Sequence, residues 1–166
     1  MADLGRGGQL RSLGAGRTPD GGRSGNPYSL ANPQASGAKV EVDEALLAAL
    51  NTWLTSMPDD FWAISATNAG KALSGDPKPF VLDVRNPSEL LAAGYVEGSV
   101  NIPLRELAKN LDKLPADKNA PIITYCAVGQ RGGIAMTALR LLGYTNVKNL
   151  GGGFGGWVKA GLPVVK

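Results

Sequence analysis

Apolar positions follow two rhythms along this chain. Between residues 43 and 57, Leu46, Leu47, Leu50, Trp53 and Leu54 recur at helical spacing, with Asp43 and Glu44 suited to a first turn and Pro58 as a stop. The spacing predicts a helix with one apolar face. "FWAIS" reads as a short strand and "ATNAGKALSG" as a short helix. In "KPFVLDVR", Phe80, Val81, Leu82 and Val84 run without clean alternation, the pattern of a parallel strand buried on both faces. "NPSELLAAG" predicts a helix capped by Asn86 with Pro87 at its first position. A short strand follows around Val100 to Ile102, and "LRELAKNLDKL" reads as an amphipathic helix with Leu104, Leu107, Leu111 and Leu114 inward. "PIITYC" is a second buried strand. "RGGIAMTALRLLGY" predicts a helix with Ile134, Ala138, Leu141 and Leu142 as its core face, closed by Gly143. "NVKNL" and "GGFGGWVKAG" complete the series as a strand and a short helix. Strand and helix alternate throughout, so the expected class is α/β, a mainly parallel central sheet flanked by helices on both faces.

Composition changes this picture at one end. Residues 1–38 are rich in Gly, Ser, Pro, Asn and Arg, keep no periodicity and are expected to be a disordered tail or linker. The expected organisation is that tail, an accessory N-terminal helix within 39–60, and one domain over 61–166. The net charge of +3 is spread thinly, since outside the tail 13 basic residues face 12 acidic ones. A body this neutral offers no footprint for a nucleic-acid backbone. The apolar runs are too short to span a membrane and no signal-peptide core is read at the N-terminus, so no membrane insertion is expected.

The absence of histidine removes Ser-His-Asp and Cys-His nucleophilic sites, and with a single cysteine it removes the usual zinc ligand sets. No metal and no cofactor are expected. The lone thiol, Cys126, ends the strand "PIITY" and precedes a glycine-bearing turn into a helix, where functional groups of α/β sheets collect. As a core residue it would be a small hydrophobe. At a helix N-terminus, however, backbone N–H groups and the helix dipole favour an anionic sulfur. Gly129 allows the loop to curl, and Arg131 adds a positive charge.

Four segments resemble, in order, those of the rhodanese-like sulfurtransferases, over about Phe61 to Val165: "FVLDVRNPSEL", "GYVEGSVNIPL", "YCAVGQR" and "NLGGGFGGW". The resemblance implies that Cys126 is the catalytic nucleophile and forms a persulfide. Ala127, Val128, Gly129, Gln130 and Arg131 would form the substrate loop, with Asp83 and Arg85 as supporting residues behind it. The implied partners are a small sulfane-sulfur donor such as thiosulfate or a persulfide, and a thiol or cyanide as acceptor, with a protein persulfide as a further candidate.

The loop departs from the family's common pattern. Ala127 stands where a basic residue often follows the cysteine, Gly132 where Ser or Thr often follows the arginine, Tyr95 in place of a histidine and Glu97 in place of a proline. Arg131 is left as the one cationic side chain of the loop, which favours a donor less charged than thiosulfate. Arg131 either contacts the donor anion or pairs with Asp83 or Glu89 to hold the loop. The alternatives to an enzyme of this kind are a non-catalytic rhodanese-like binding module and a cysteine phosphatase. The phosphatase signature needs five residues between Cys and Arg, and here there are four. Gly151, Gly153 and Gly156 satisfy a dinucleotide-binding spacing, but ten residues after Gly156 leave no room for the rest of such a unit. They are expected to form a turn into the closing helix, with Trp157, Trp53 and Trp62 as core.

Overall fold

The computed structural model describes residues 41–166, so the expected tail lies outside the described residues. Five parallel strands form one sheet: β1 (Ala63–Ile64), β2 (Phe80–Asp83), β3 (Val100–Asn101), β4 (Ile122–Tyr125) and β5 (Val147–Leu150), in the spatial order β1-β5-β4-β2-β3. β4 is central. It pairs with β2, setting Asp83 beside Tyr125, and with β5, setting Thr124 beside Asn149. Parallel strands need crossovers, and helices supply most of them: α2 (Ala66–Leu73) leads from β1 to β2, α3 (Pro87–Ala93) from β2 to β3, and α4 (Gln130–Leu141) from β4 to β5. α1 (Glu44–Thr55) precedes the sheet and α5 (Gly153–Lys159) follows it.

The two faces of the sheet carry separate cores, because successive strand residues point to opposite sides. On one face Leu82, Val84, Ile122, Cys126 and Val147 pack under α4, which contributes Ala135, Met136 and Leu139. On the other, Val81, Ile123, Tyr125 and Leu150 pack against Ala66 and Ala69 of α2 and Phe154 and Trp157 of α5.

Local chemistry sets the helix ends. Asp43 caps α1 through the Leu46 N–H (2.8 Å), and Ser65 caps α2 through the Asn68 N–H (3.2 Å). α3 begins with Pro87 after Asn86, whose own N–H donates to Glu89 at the third helical position (3.0 Å). α4 closes with Gly143 and Tyr144 donating back to Arg140 and Leu139. Among the described residues no helix is long and apolar enough to cross a membrane.

Three expectations are corrected. "LRELAKNLDKL" forms two 3-10 turns, Leu104–Lys109 and Leu111–Lys113, in place of one α-helix; Leu107 and Leu114 are buried, and Leu111 lies at the surface. The core face of α4 is Gly132, Ala135, Met136 and Leu139, while Ile134 and Leu142 are exposed. The sheet takes the side of the helix where Gly132 and Ala135 permit close approach, with Met136 and Leu139 filling the space beside them. Trp53 and Trp62 are only half-buried: they stack on each other at 5.9 Å, and Arg140 lies 3.9 Å over Trp62. α1 buries no residue, and Leu46, Leu47, Leu50 and Leu54 of its apolar face are exposed.

Candidate active site

Cys126 follows the last residue of β4, and α4 begins four residues later. The connecting loop turns through Gly129, whose φ of +106° is a conformation that a side chain would oppose. This brings the Gly129 N–H back to Cys126 Sγ at 3.2 Å. Cys126 is 1% exposed and shares a core with Leu82 and Leu139. Its burial alone would suit core filling, so the polar surroundings of the sulfur are what distinguish it.

Those surroundings arise from where the loop carbonyls go. The Cys126 carbonyl accepts from Phe154 N–H (2.7 Å), the Ala127 carbonyl from Gly155 N–H (2.9 Å), and the Gly129 carbonyl from Gly133 N–H (2.9 Å) and Asn149 Nδ2 (3.1 Å). Each carbonyl is thus engaged away from the sulfur. Among the described residues, the N–H groups of Ala127, Val128, Gln130, Arg131 and Gly132 have no protein acceptor. The N-terminal end of α4 adds its dipole to the same region. One N–H on the buried sulfur, in a loop with further free donors, is suited to hold negative charge.

The glycine run of "NLGGGFGGW" is the other half of this arrangement. A Cβ on Gly153 would lie 2.8 Å from the Ala127 carbonyl carbon and from the Gly129 nitrogen. Only glycine lets α5 begin against the loop and donate its first N–H groups to it. Gly132 is explained in the same way, since a Cβ there would strike Asn149 Oδ1 and stand 3.1 Å from Tyr125 Cα. The Asn149 amide, which holds the loop through Gly129, occupies that space. Thr124 Oγ1 fixes the next turn by donating to the Gly132 carbonyl (2.9 Å).

Arg131 points to α3. Its Nη1 and Nη2 donate to Oε2 and Oε1 of Glu89 at 2.8 and 2.7 Å, a two-point ion pair with both side chains about two-thirds buried. Glu89, hydrogen-bonded by Arg131 and by the Asn86 N–H against the opposing effect of burial, is lowered to about 2. The Arg131 guanidinium is raised above its ordinary range by the Glu89 carboxylate, burial opposing and the Cys126 sulfur adding in the same direction. Of the two pairings open to Arg131 from the sequence, the structure has the one with Glu89.

Asp83 and Arg85 stand at the end of β2 and bond to each other. Arg85 Nε donates to both Asp83 oxygens at 3.0 Å and Nη2 to Oδ2 at 2.6 Å, with both side chains buried. Arg85 also donates to the Gly94 carbonyl behind α3 (2.9 Å) and lies 4.2 Å over the Phe154 ring. The pair therefore reaches the loop indirectly, through α3, which carries Glu89, and through Phe154, which bonds the Cys126 carbonyl. The sequence pattern does not single out Asn149, Thr124, Phe154 or Gly155 as site residues; for Asn149, Phe154 and Gly155 the one signal is the adjoining glycine run, which by itself reads as a turn.

Cavity volume points elsewhere. A groove of about 720 Å³, bordered by Leu73, Lys78, Phe80, Trp157 and Leu162, includes no residue of the loop.

The model of the rhodanese-like domain matches residues 66–160, and the chain belongs to that family. Thiosulfate sulfurtransferase PspE of Escherichia coli is 39% identical over 71 residues, 43% of this chain and 67% of that protein. Human thiosulfate:glutathione sulfurtransferase is 31% identical over 101 residues, 54% of this chain and 87% of that one. The crystal structure of a rhodanese-related protein from Thermoplasma volcanium superposes with a TM-score of 0.55 at 33% identity, over 62% of this chain and 96% of that one. Sulfurtransferase relatives thus share the domain that carries Cys126.

Proposed function

We propose that this protein transfers sulfane sulfur through a persulfide on Cys126. The observation that carries the reading is the buried sulfur at the end of β4, which accepts the Gly129 N–H while the loop carbonyls bond outward to α5, Asn149 and Gly133. A sulfur so placed has an N–H dipole to meet the negative charge of a thiolate or persulfide.

In the first displacement the Cys126 thiolate attacks the outer sulfur of the donor. With thiosulfate, the S–S bond breaks toward sulfite, which leaves with the bonding pair, and Cys126 keeps the transferred sulfur as Cys–S–S⁻. With an alkyl persulfide, the leaving group is the thiolate. The added sulfur would stand about 2 Å beyond Sγ, a disulfide-length bond, with the free N–H groups of Ala127, Val128, Gln130 and Arg131 in the same loop. In the second displacement an acceptor thiolate or cyanide attacks that outer sulfur and Cys126 leaves as thiolate, giving a new persulfide or thiocyanate. Two displacements through one covalent intermediate predict ping-pong kinetics. The four-residue interval between Cys126 and Arg131 is one short of the phosphatase signature, which favours this chemistry over phosphate-ester hydrolysis.

Mass spectrometry of the intact protein after thiosulfate or polysulfide treatment tests the reading. The expected product is an adduct of about +32 Da, one sulfur atom, reversed by cyanide and absent in Cys126→Ser. Absence of the adduct with every sulfane donor would refute it and leave the domain as a binding module.

A further inference from the structure

Resting on the sulfur-transfer reading, we propose that Glu89 sets the donor class of this site. By holding Arg131 in a two-point ion pair, it favours sulfane donors with a single negative charge over the thiosulfate dianion.

The argument begins with the charges that face the sulfur. From Cys126 to Arg131 the loop has one cationic side chain; Ala127 and Gln130 are uncharged, and Val128 is apolar and exposed. Each outer nitrogen of that guanidinium donates to Glu89, at 2.7 and 2.8 Å, so its positive charge is met at close range by a carboxylate even though it also faces the Cys126 sulfur. Glu89 is itself anchored at the third position of α3, where it accepts the Asn86 N–H at 3.0 Å, so the pair is held from both sides. The other ion pair near this end of the sheet, Asp83 with Arg85, is closed on itself. An incoming donor therefore meets N–H dipoles with no net cationic side chain behind them. The Glu89 carboxyl, at about 2, carries its charge at any ordinary pH.

The energy between a fixed carboxylate and a donor scales with the donor's charge, so Glu89 opposes a dianion about twice as strongly as a monoanion. A dianion also gains most from an unpaired guanidinium. Two donors of similar shape isolate this effect. Thiosulfate yields its sulfane sulfur to the Cys126 thiolate and leaves as sulfite. The methanethiosulfonate anion, CH₃SO₂S⁻, yields the same sulfur and leaves as methanesulfinate. Both steps form Cys–S–S⁻, conserve charge and need no oxidant or reductant.

The test is the ratio of kcat/KM for thiosulfate to that for methanethiosulfonate, with cyanide as acceptor at low salt. Glu89→Gln keeps a side chain able to close the helix cap and removes the charge. The ratio is expected to rise about five-fold or more, with the gain shrinking at about 0.5 M salt. Glu89→Asp retains the charge but, one methylene shorter, loosens the two-point pair, and is expected to raise the ratio less than Glu89→Gln does. Ala127→Lys adds a loop cation without altering the Glu89 pair and is expected to raise the ratio, which covers the case in which Glu89→Gln folds poorly. An unchanged ratio in Glu89→Gln with both donors slowed alike, or in Ala127→Lys, overturns the proposal and leaves Glu89 a brace for the loop. A wild-type protein that forms the Cys126 persulfide with neither donor instead overturns the sulfur-transfer reading, and this inference with it.

Discussion

Gly153 illustrates how one atom decides the site. Its missing Cβ is what allows α5 to begin against the loop, with Phe154 and Gly155 donating to the carbonyls of Cys126 and Ala127. Gly153→Ala is expected to push the loop away, because the added methyl meets backbone and no flexible side chain. The expected outcome is a loss of sulfur transfer of at least about ten-fold, with overpacking costing roughly 1–3 kcal/mol. Steady-state kinetics beside thermal melts check this, and a fully active variant would show that the close approach is dispensable. Cys126 and its loop were legible in the sequence because a lone thiol, a glycine and an arginine sit together at a strand-to-helix turn. Asn149 and Phe154 were not legible. Their roles depend on parallel pairing that brings residues 20 or more positions away against the loop, and neither amide nor ring advertises that contact in one dimension.

At the scale of elements, periodicity located the strands and helices more reliably than it chose their buried faces. α4 presents Ile134 to solvent, as does Leu142 just past its end, and Ala135, Met136 and Leu139 to the sheet. A stripe of large apolar residues was a poor guide because the sheet is approached through Gly132, where even a Cβ does not fit. α1 makes the same point, since its leucines follow a clean helical stripe and none is buried. Truncations separate the two kinds of position. Leu139→Ala, in a fully buried site, is expected to cost about 2–5 kcal/mol, whereas Leu50→Ala and Ile134→Ala are expected within about 0.5–1 kcal/mol of wild type. Chemical denaturation of the three variants checks the order, and a large loss from Leu50→Ala would mean that α1 is packed more closely than its exposed face implies. The end of β2 supplies a second case. Removing the carboxylate in Asp83→Ala leaves Arg85 buried beside Phe154 without its partner, which is expected to cost about 3–5 kcal/mol.

Across the whole molecule, the Cys126 loop belongs to no single element. β4 delivers the sulfur, β5 holds the Gly129 carbonyl through Asn149, α5 holds those of Cys126 and Ala127, and α3 holds Arg131 through Glu89. The last tie joins residues 42 positions apart and is the one with a resolved acid limit. The native Glu89 carboxyl sits at about 2 against an ordinary 4.5, so the unfolded chain takes up this proton first as pH falls. The stabilisation from the pair is therefore complete above about pH 5, declines below the unfolded value and is gone once pH passes through about 2. Because both side chains are about one-third exposed, solvent screening limits it to about 1 kcal/mol. Glu89→Gln is expected to lie about that far below wild type at pH 7 and to converge with it near pH 2, in urea titrations across the interval. Coincident stability curves at every pH would show that the pair adds nothing to the native state. Convergence would identify the tie between α3 and the loop as an acid-sensitive join of the fold.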